Sequence, residues 1–294
     1  MSTAQYTPTI QPTVQPSIRL ATVVLALALL LLGGCSSVRL AYGYLDWWMD
    51  RTLNKYLDLE GAQEDLLSQR VDEFHRWHRQ TQLPRYADYL DQLAAEVDSP
   101  ADTVPARLTE IEKKTDEFWN SSIGMLSDLL LPILLQLDDA QIAQLADNAS
   151  KEREKSLKKW QKDQHKREKA FRKEAERWLG DLTQEQDAMI DRELASTTFD
   201  PKRRDAQRER WTNAFIQTLK DKPAGYEQTL RDLLIDPQTL WSEDYRQMQE
   251  QLRVQARNLG SEVLQNATPE QREHLKSTMR EYASDFRFLA AQNP

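Results

Sequence analysis

The chain has 294 residues, 39 Lys and Arg against 47 Asp and Glu, a net charge of −8, and one cysteine, Cys35. The acidic balance argues against a nucleic-acid partner, because phosphate binding needs a basic footprint. A lone cysteine excludes an internal disulfide, so packing must supply the stability. Glycine is scarce, helix formers are abundant, and no Val/Ile/Thr run alternates. These features predict an all-α, multi-helix bundle with long helices and no sheet.

Residues 1–34 carry one basic residue, Arg19, and no acidic one. An apolar run, Leu20 to Leu32, follows Arg19 and ends in Gly33-Gly34-Cys35. That run is short for a membrane span, which needs about 20 apolar residues. A basic residue, a short apolar core and a small-residue end make a signal peptide. Leu32-Gly33-Gly34-Cys35 resembles the lipobox of bacterial lipoproteins. The resemblance implies a signal peptide over 1–34 and acyl chains on Cys35, which would attach residues 35–294 to a membrane. Ser36, by resemblance to lipoproteins sorted by the residue after the cysteine, implies the outer membrane and a domain facing the periplasm. An uncleaved N-terminal anchor is the alternative.

Beyond Cys35, helix faces follow from periodicity and boundaries from Pro and Gly. Leu45, Met49, Leu53 and Tyr56 give an inward face to a helix over 45–57. The next helix, 60–80, carries Leu67, Val71, Phe74 and His78 on one face. Pro84 opens a third, ending before Asp98. A fourth, 105–135, bears the most apolar stretch of the domain, and Pro132 is expected to kink or end it. The longest helix is predicted over 138–178, then one over 183–195. Asp200-Pro201 starts a helix reaching Lys220, and Pro223 opens a short one. Asp236-Pro237 repeats the start signal for a helix to Gln265, and Thr268-Pro269 starts the last. A sub-boundary falls in 196–200.

A short pattern recurs at Leu59–Gln63, Leu137–Gln141, Leu182–Gln186 and Ala267–Gln271. Its favoured reading is a capping box: a Thr or Asp accepts from the N3 amide while the Gln side chain returns to the N-cap amide. The copies are spaced too irregularly for a solenoid. The pattern also resembles the Leu-Thr-x-x-Gln repeats of small periplasmic helical chaperones.

No phosphate loop, Gly-x-Ser-x-Gly elbow or His-Glu-x-x-His motif is present, so the sequence offers no catalytic residue and no cofactor or metal site. His75 and His78 read as packed histidines, His78 within the apolar stripe. The stretch 151–177 holds twelve Lys and Arg against six Asp and Glu. Its favoured reading is a solvated helix laced with pairs such as Glu154–Lys158 and Glu168–Arg172. The other is an anionic-surface site using Lys158, Lys159, Lys162 and Lys166. Tyr42, Tyr44, Trp47 and Trp48 follow the cysteine closely. Packing beneath a neighbouring helix is the first expectation for them, and docking on the bilayer the second.

Cys35-Ser36-Ser37, the aromatics of 42–48, Tyr56-Leu57-Asp58-Leu59 with Gln63, and Trp77-His78 followed by Leu83-Pro84-Arg85-Tyr86 resemble an uncharacterised family of proteobacterial lipoproteins. The resemblance implies a fold and an address, and no residue roles. The functional expectation is an outer-membrane lipoprotein that binds or scaffolds an envelope component, either a protein or anionic lipid, without catalysis. A membrane-tethered chaperone and an unrecognised envelope enzyme are the alternatives.

Overall fold

The computed structural model describes residues 37–162 and 164–292. Cys35, Ser36 and the apolar run lie outside the described residues. Within them the chain is helical throughout, with no strand, as the composition predicts. Twelve α-helices are described: α1 Ser37–Gly43, α2 Leu45–Leu57, α3 Ala62–Trp77, α4 Leu83–Glu96, α5 Val104–Leu134, α6 Asp139–Lys162, α7 Gln164–Leu179, α8 Gln184–Ser196, α9 Pro201–Asp221, α10 Tyr226–Ile235, α11 Glu243–Gln265 and α12 Pro269–Ala291.

The local signals explain most boundaries. Thr183 and Thr268 cap α8 and α12 with complete capping boxes. Asp200 caps α9 by accepting from the Lys202 amide at 2.8 Å, with Pro201 next in line. Pro132 sits two residues before the end of α5, as expected of a residue that cannot donate. Gly180, at φ 75°, supplies the left-handed residue that ends α7.

Four boundaries differ from expectation. Pro223 does not open α10, which starts at Tyr226 behind Gly225 at φ 76°. The helices predicted over 60–80 and from Pro84 are joined by a π turn, His78–Gln82, with the Leu83 amide donating to the His78 carbonyl. Pro84 has no N–H, and its ring would clash with the carbonyl four residues back. A widened turn relieves both problems without breaking the rod. Asp236-Pro237 opens only a 3-10 turn, Pro237–Leu240. Gln207 of α9 fastens that turn, donating to the Leu240 carbonyl at 3.1 Å and accepting from the Ser242 amide at 3.0 Å. Ser242 then caps α11. The helix predicted over 138–178 is described as α6 and α7 on either side of residue 163.

The main core joins Leu67 and Val71 of α3, Ile133 of α5, Ile142 of α6, Leu219 of α9 and Leu230 of α10, all nearly inaccessible. A second core joins Leu179, Ile190, Leu259, Val263 and Leu275, from α7, α8, α11 and α12. The third is the smallest and fastens the N-terminus: Tyr42, Leu83 and Leu289 bring α1 against α4 and α12. No helix among the described residues is long and apolar enough to cross a membrane.

Candidate functional site

The N-terminal helix is held by a ring-rich cluster at the π turn. Tyr42 is buried, and its hydroxyl lies 2.9 Å from His78 Nδ1. The Tyr86 hydroxyl lies 3.3 Å from His78 Nε2 and 3.2 Å from Ser122 Oγ. A neutral imidazole donates at one nitrogen and accepts at the other, so one tyrosine must accept and the other donate. The Tyr42 ring stacks on His75, centroids 4.7 Å apart. Nearby, Arg39 Nε bonds Asp285 Oδ1 at 2.5 Å, and the Arg39 guanidinium lies over the Phe288 ring.

Burial first, and His75 second, push the His78 pKa down to about 4. His75 is also lowered, by burial and then by Arg79, with Asp46 opposing. Burial raises the Tyr42 hydroxyl. All three groups are therefore neutral at physiological pH. A histidine with both nitrogens engaged and so low a pKa is a poor general base near neutrality. The cluster is suited to holding α1 in place. Among the described residues, no group of three His, Cys, Asp or Glu side chains could hold a metal.

Cavities open elsewhere, two of them lined by aromatic side chains. One, of about 530 Å³, lies between α7, α8, α11 and α12 and is lined by Phe171, Trp178, Ile190, Leu252, Leu259 and Met279. The other, of about 360 Å³, is lined by Tyr56, Arg153, Arg208, Trp211, Trp241 and Tyr245 among others. Two of its charged groups are already engaged. Arg153 pairs with Asp205 at 2.6 Å and Glu209 at 3.0 Å, Glu152 pairs with Lys155 at 2.7 Å, and burial raises the Tyr56 pKa.

The four copies of the pattern ending at Gln63, Gln141, Gln186 and Gln271 do more than cap. They form two pairs. Gln186 and Gln271 each accept their own N-cap amide, from Thr183 at 3.0 Å and Thr268 at 3.1 Å. Each also donates to the other, at 2.9 and 2.7 Å. Gln271 further donates to the Asp181 carbonyl at 2.7 Å. Gln63 and Gln141 repeat the reciprocal bonds at 3.2 and 2.6 Å, joining the starts of α3 and α6. The capping role follows from the local pattern. The cross-pairing, between segments far apart in the chain, does not.

The remaining predicted positions are placed as follows. Lys158, Lys159 and Lys162 are exposed on α6, with Lys158 3.8 Å from Glu154. Lys166 lies on α7, and its side chain is outside the described residues. Arg172, expected to pair with Glu168, instead reaches Asp187 and Asp191 of α8. The expectation that the N-terminal aromatics pack beneath a neighbour holds for Tyr42 alone. Tyr44, Trp47 and Trp48 are 67%, 60% and 57% exposed, because their positions fall opposite the inward face of α2.

The class these features define is an all-helical bundle with a clamped N-terminal helix. A family of unknown function (DUF6279) matches residues 55–246, and the chain belongs to that family. The match leaves out α1, most of α2, most of α11 and all of α12. Three of the four glutamines fall within it. No curated protein and no solved structure matches the chain.

Proposed function

We propose that this chain is a lipid-anchored outer-membrane protein whose helical body binds or scaffolds a cell-envelope component facing the periplasm, without catalysing a reaction. The observation that carries the reading is the placement of α1. It begins two residues after Cys35 and is fastened to the body by Arg39–Asp285 and by Tyr42 against His78. A lipid on Cys35 would then hold a body of fixed orientation rather than one on a loose tether. Metabolic labelling with a fatty-acid analogue is expected to mark the wild-type chain in the outer-membrane fraction and to leave Cys35→Ser unmarked. Label that persists in Cys35→Ser, or a labelled chain confined to the inner membrane, would overturn the reading.

The 530 Å³ apolar cavity favours a second reading, a membrane-tethered chaperone that takes apolar segments. Crosslinking in intact cells separates the two. One stoichiometric partner supports the scaffold, whereas many unfolded chains support the chaperone.

The lysines of α6 and α7 add a weaker contact with anionic lipid. Each Lys near an anionic bilayer contributes about 1 kcal/mol, and the effect is screened by salt. A chain beginning at Ser36 is expected to float weakly with anionic vesicles at low salt. It should float less when Lys158, Lys159, Lys162 and Lys166 are changed to Gln. Equal flotation of both chains would mean that the lysines are a solvated face.

A further inference from the structure

We infer that the outward face of α1 and α2 lies on the bilayer surface beside the lipidated cysteine, as a second and non-covalent membrane contact. The inference rests on the proposed anchoring at Cys35.

The helical path runs almost unbroken from α1 into α2. The Tyr44 amide donates to the Ala41 carbonyl at 3.3 Å, and the Trp48 amide to the Tyr44 carbonyl at 3.0 Å. With 3.6 residues per turn, two faces separate. Tyr42, Leu45, Met49, Leu53 and Tyr56 point inward: Tyr42 and Leu45 join the N-terminal core, Met49 and Leu53 the main core. The opposite face should be polar on a helix that meets only water. Instead it carries Leu40, Tyr44, Trp47 and Trp48, all 57–67% exposed. These sit at i, i+4, i+7 and i+8, inside an arc of roughly 100°. Exposed large side chains are rare on the rest of the described surface, where Trp119, Phe171, Val254 and Phe288 are scattered over four helices.

The order along the stripe identifies what covers it. Leu40 comes first, nearest Cys35, then the three aromatics. Exposed Arg51 and Lys55 follow in the same arc, and the Arg51 guanidinium lies 5.7 Å from the Trp47 ring centre. Asp46 and Asp50 fall outside the arc. Apolar, then aromatic, then basic is the profile of a helix lying at a membrane interface. Trp and Tyr settle at the headgroups, and cations reach the phosphates. A protein partner could also cover apolar side chains, but nothing would require it to sit beside the acylated residue. The bilayer is there as soon as Cys35 is lipidated. Because Arg39 and Tyr42 lock this helix to α12 and the π turn, docking the stripe would set the tilt of the whole body on the membrane.

The test uses the full-length, processed protein in vesicles of phosphatidylethanolamine and phosphatidylglycerol, with either ordinary or brominated acyl chains. Intact mass first reports whether Cys35 is acylated. Tryptophan emission is expected to be lower in the brominated vesicles. Most of that difference should vanish in Trp47→Phe/Trp48→Phe, which removes the reporters and keeps the apolar face. Tyr44→Ser/Trp47→Ser/Trp48→Ser should remain acylated and folded yet become accessible to protease across α2. The inference is overturned if acylated wild type emits equally in both vesicles, or if quenching is unchanged without Trp47 and Trp48. Unacylated Cys35 would instead overturn the anchoring reading, and the same quenching measured on added vesicles then decides the docking separately.

Discussion

Gln271→Leu is expected to destabilise the fold by about 3 kcal/mol, because it strands several buried polar groups at once. Gln271 is 4% exposed and Gln186 is fully buried. The change removes the acceptor of the Thr268 amide and of the Gln186 side-chain amide, and the donor to the Asp181 carbonyl. Each group left without a partner costs about 1–3 kcal/mol, less where water can reach it. For a chain of this size the loss corresponds to a fall in Tm of roughly 10 °C. Gln186→Leu should behave similarly, since it strands the Thr183 amide and its share of the reciprocal pair. The double variant should cost less than the sum of the two, because neither Leu then faces an unpaired amide. The corresponding changes at Gln63 and Gln141 should cost less, since Gln63 is only half-buried. Urea melts of the four single variants and the Gln186/Gln271 double variant check this. Strict additivity within the pair would mean that the two side chains act only as separate caps.

That pair also marks how far the sequence could be read. A capping box is local: Thr183 and Gln186 announce it within four residues, and both are where the pattern puts them. The partner across the pair is more than eighty residues away, and nothing near Gln186 points to it. The same division runs through the fold. Helix α2 occupies the predicted 45–57, because its inward face and its left-handed end at Asp58 are set locally. The 3-10 turn at Pro237 was not legible. Asp-Pro is a sound start signal, but Gln207, from another helix, holds the Leu240 carbonyl and the Ser242 amide and delays the start of α11. The π turn was half legible, since Pro84 had to interrupt something, and the structure widens the turn where a break was expected.

Site residues divide in the same way. Periodicity put His78 on the inward face, where it lies. Its two hydroxyl partners come from α1 and α4, and only the folded chain brings them together. The helical wheel likewise put Tyr44 and Trp47 opposite the inward face. Whether another helix covered that outer side depended on packing that no local pattern encodes. The structure leaves it open.

The second large effect is on acid stability. His78 is held near pKa 4 in the fold, mainly by burial and then by His75, against 6.5 for an ordinary histidine. The unfolded chain takes up the proton near 6.5, while the folded chain resists until about 4. The unfolded state therefore binds more protons between these values, and stability falls as pH falls through that window. His78 leaves stability unaffected well above pH 6.5, and its full penalty of about 3 kcal/mol is reached near pH 4. His75 shifts in the same direction and adds to the slope, mainly through burial, with Arg79 reinforcing the shift and Asp46 opposing it. Urea midpoints at pH 7.5, 5.5 and 4.5 should fall steeply for the wild-type chain. His78→Gln should be less stable at pH 7.5, because one side-chain amide cannot reproduce the imidazole's reach to both tyrosine hydroxyls. Its midpoint should nonetheless change much less on acidification, since only His75 then titrates in the cluster. An equal acid slope in both chains would mean that His78 is not the group taking up the proton. Hydrogen exchange at the amides of α1 locates the effect. Tyr42 joins that helix to His78, so the protection of amides across residues 39–43, corrected for the intrinsic exchange rate at each pH, should fall with acid before that of the main core around Leu67 and Ile133.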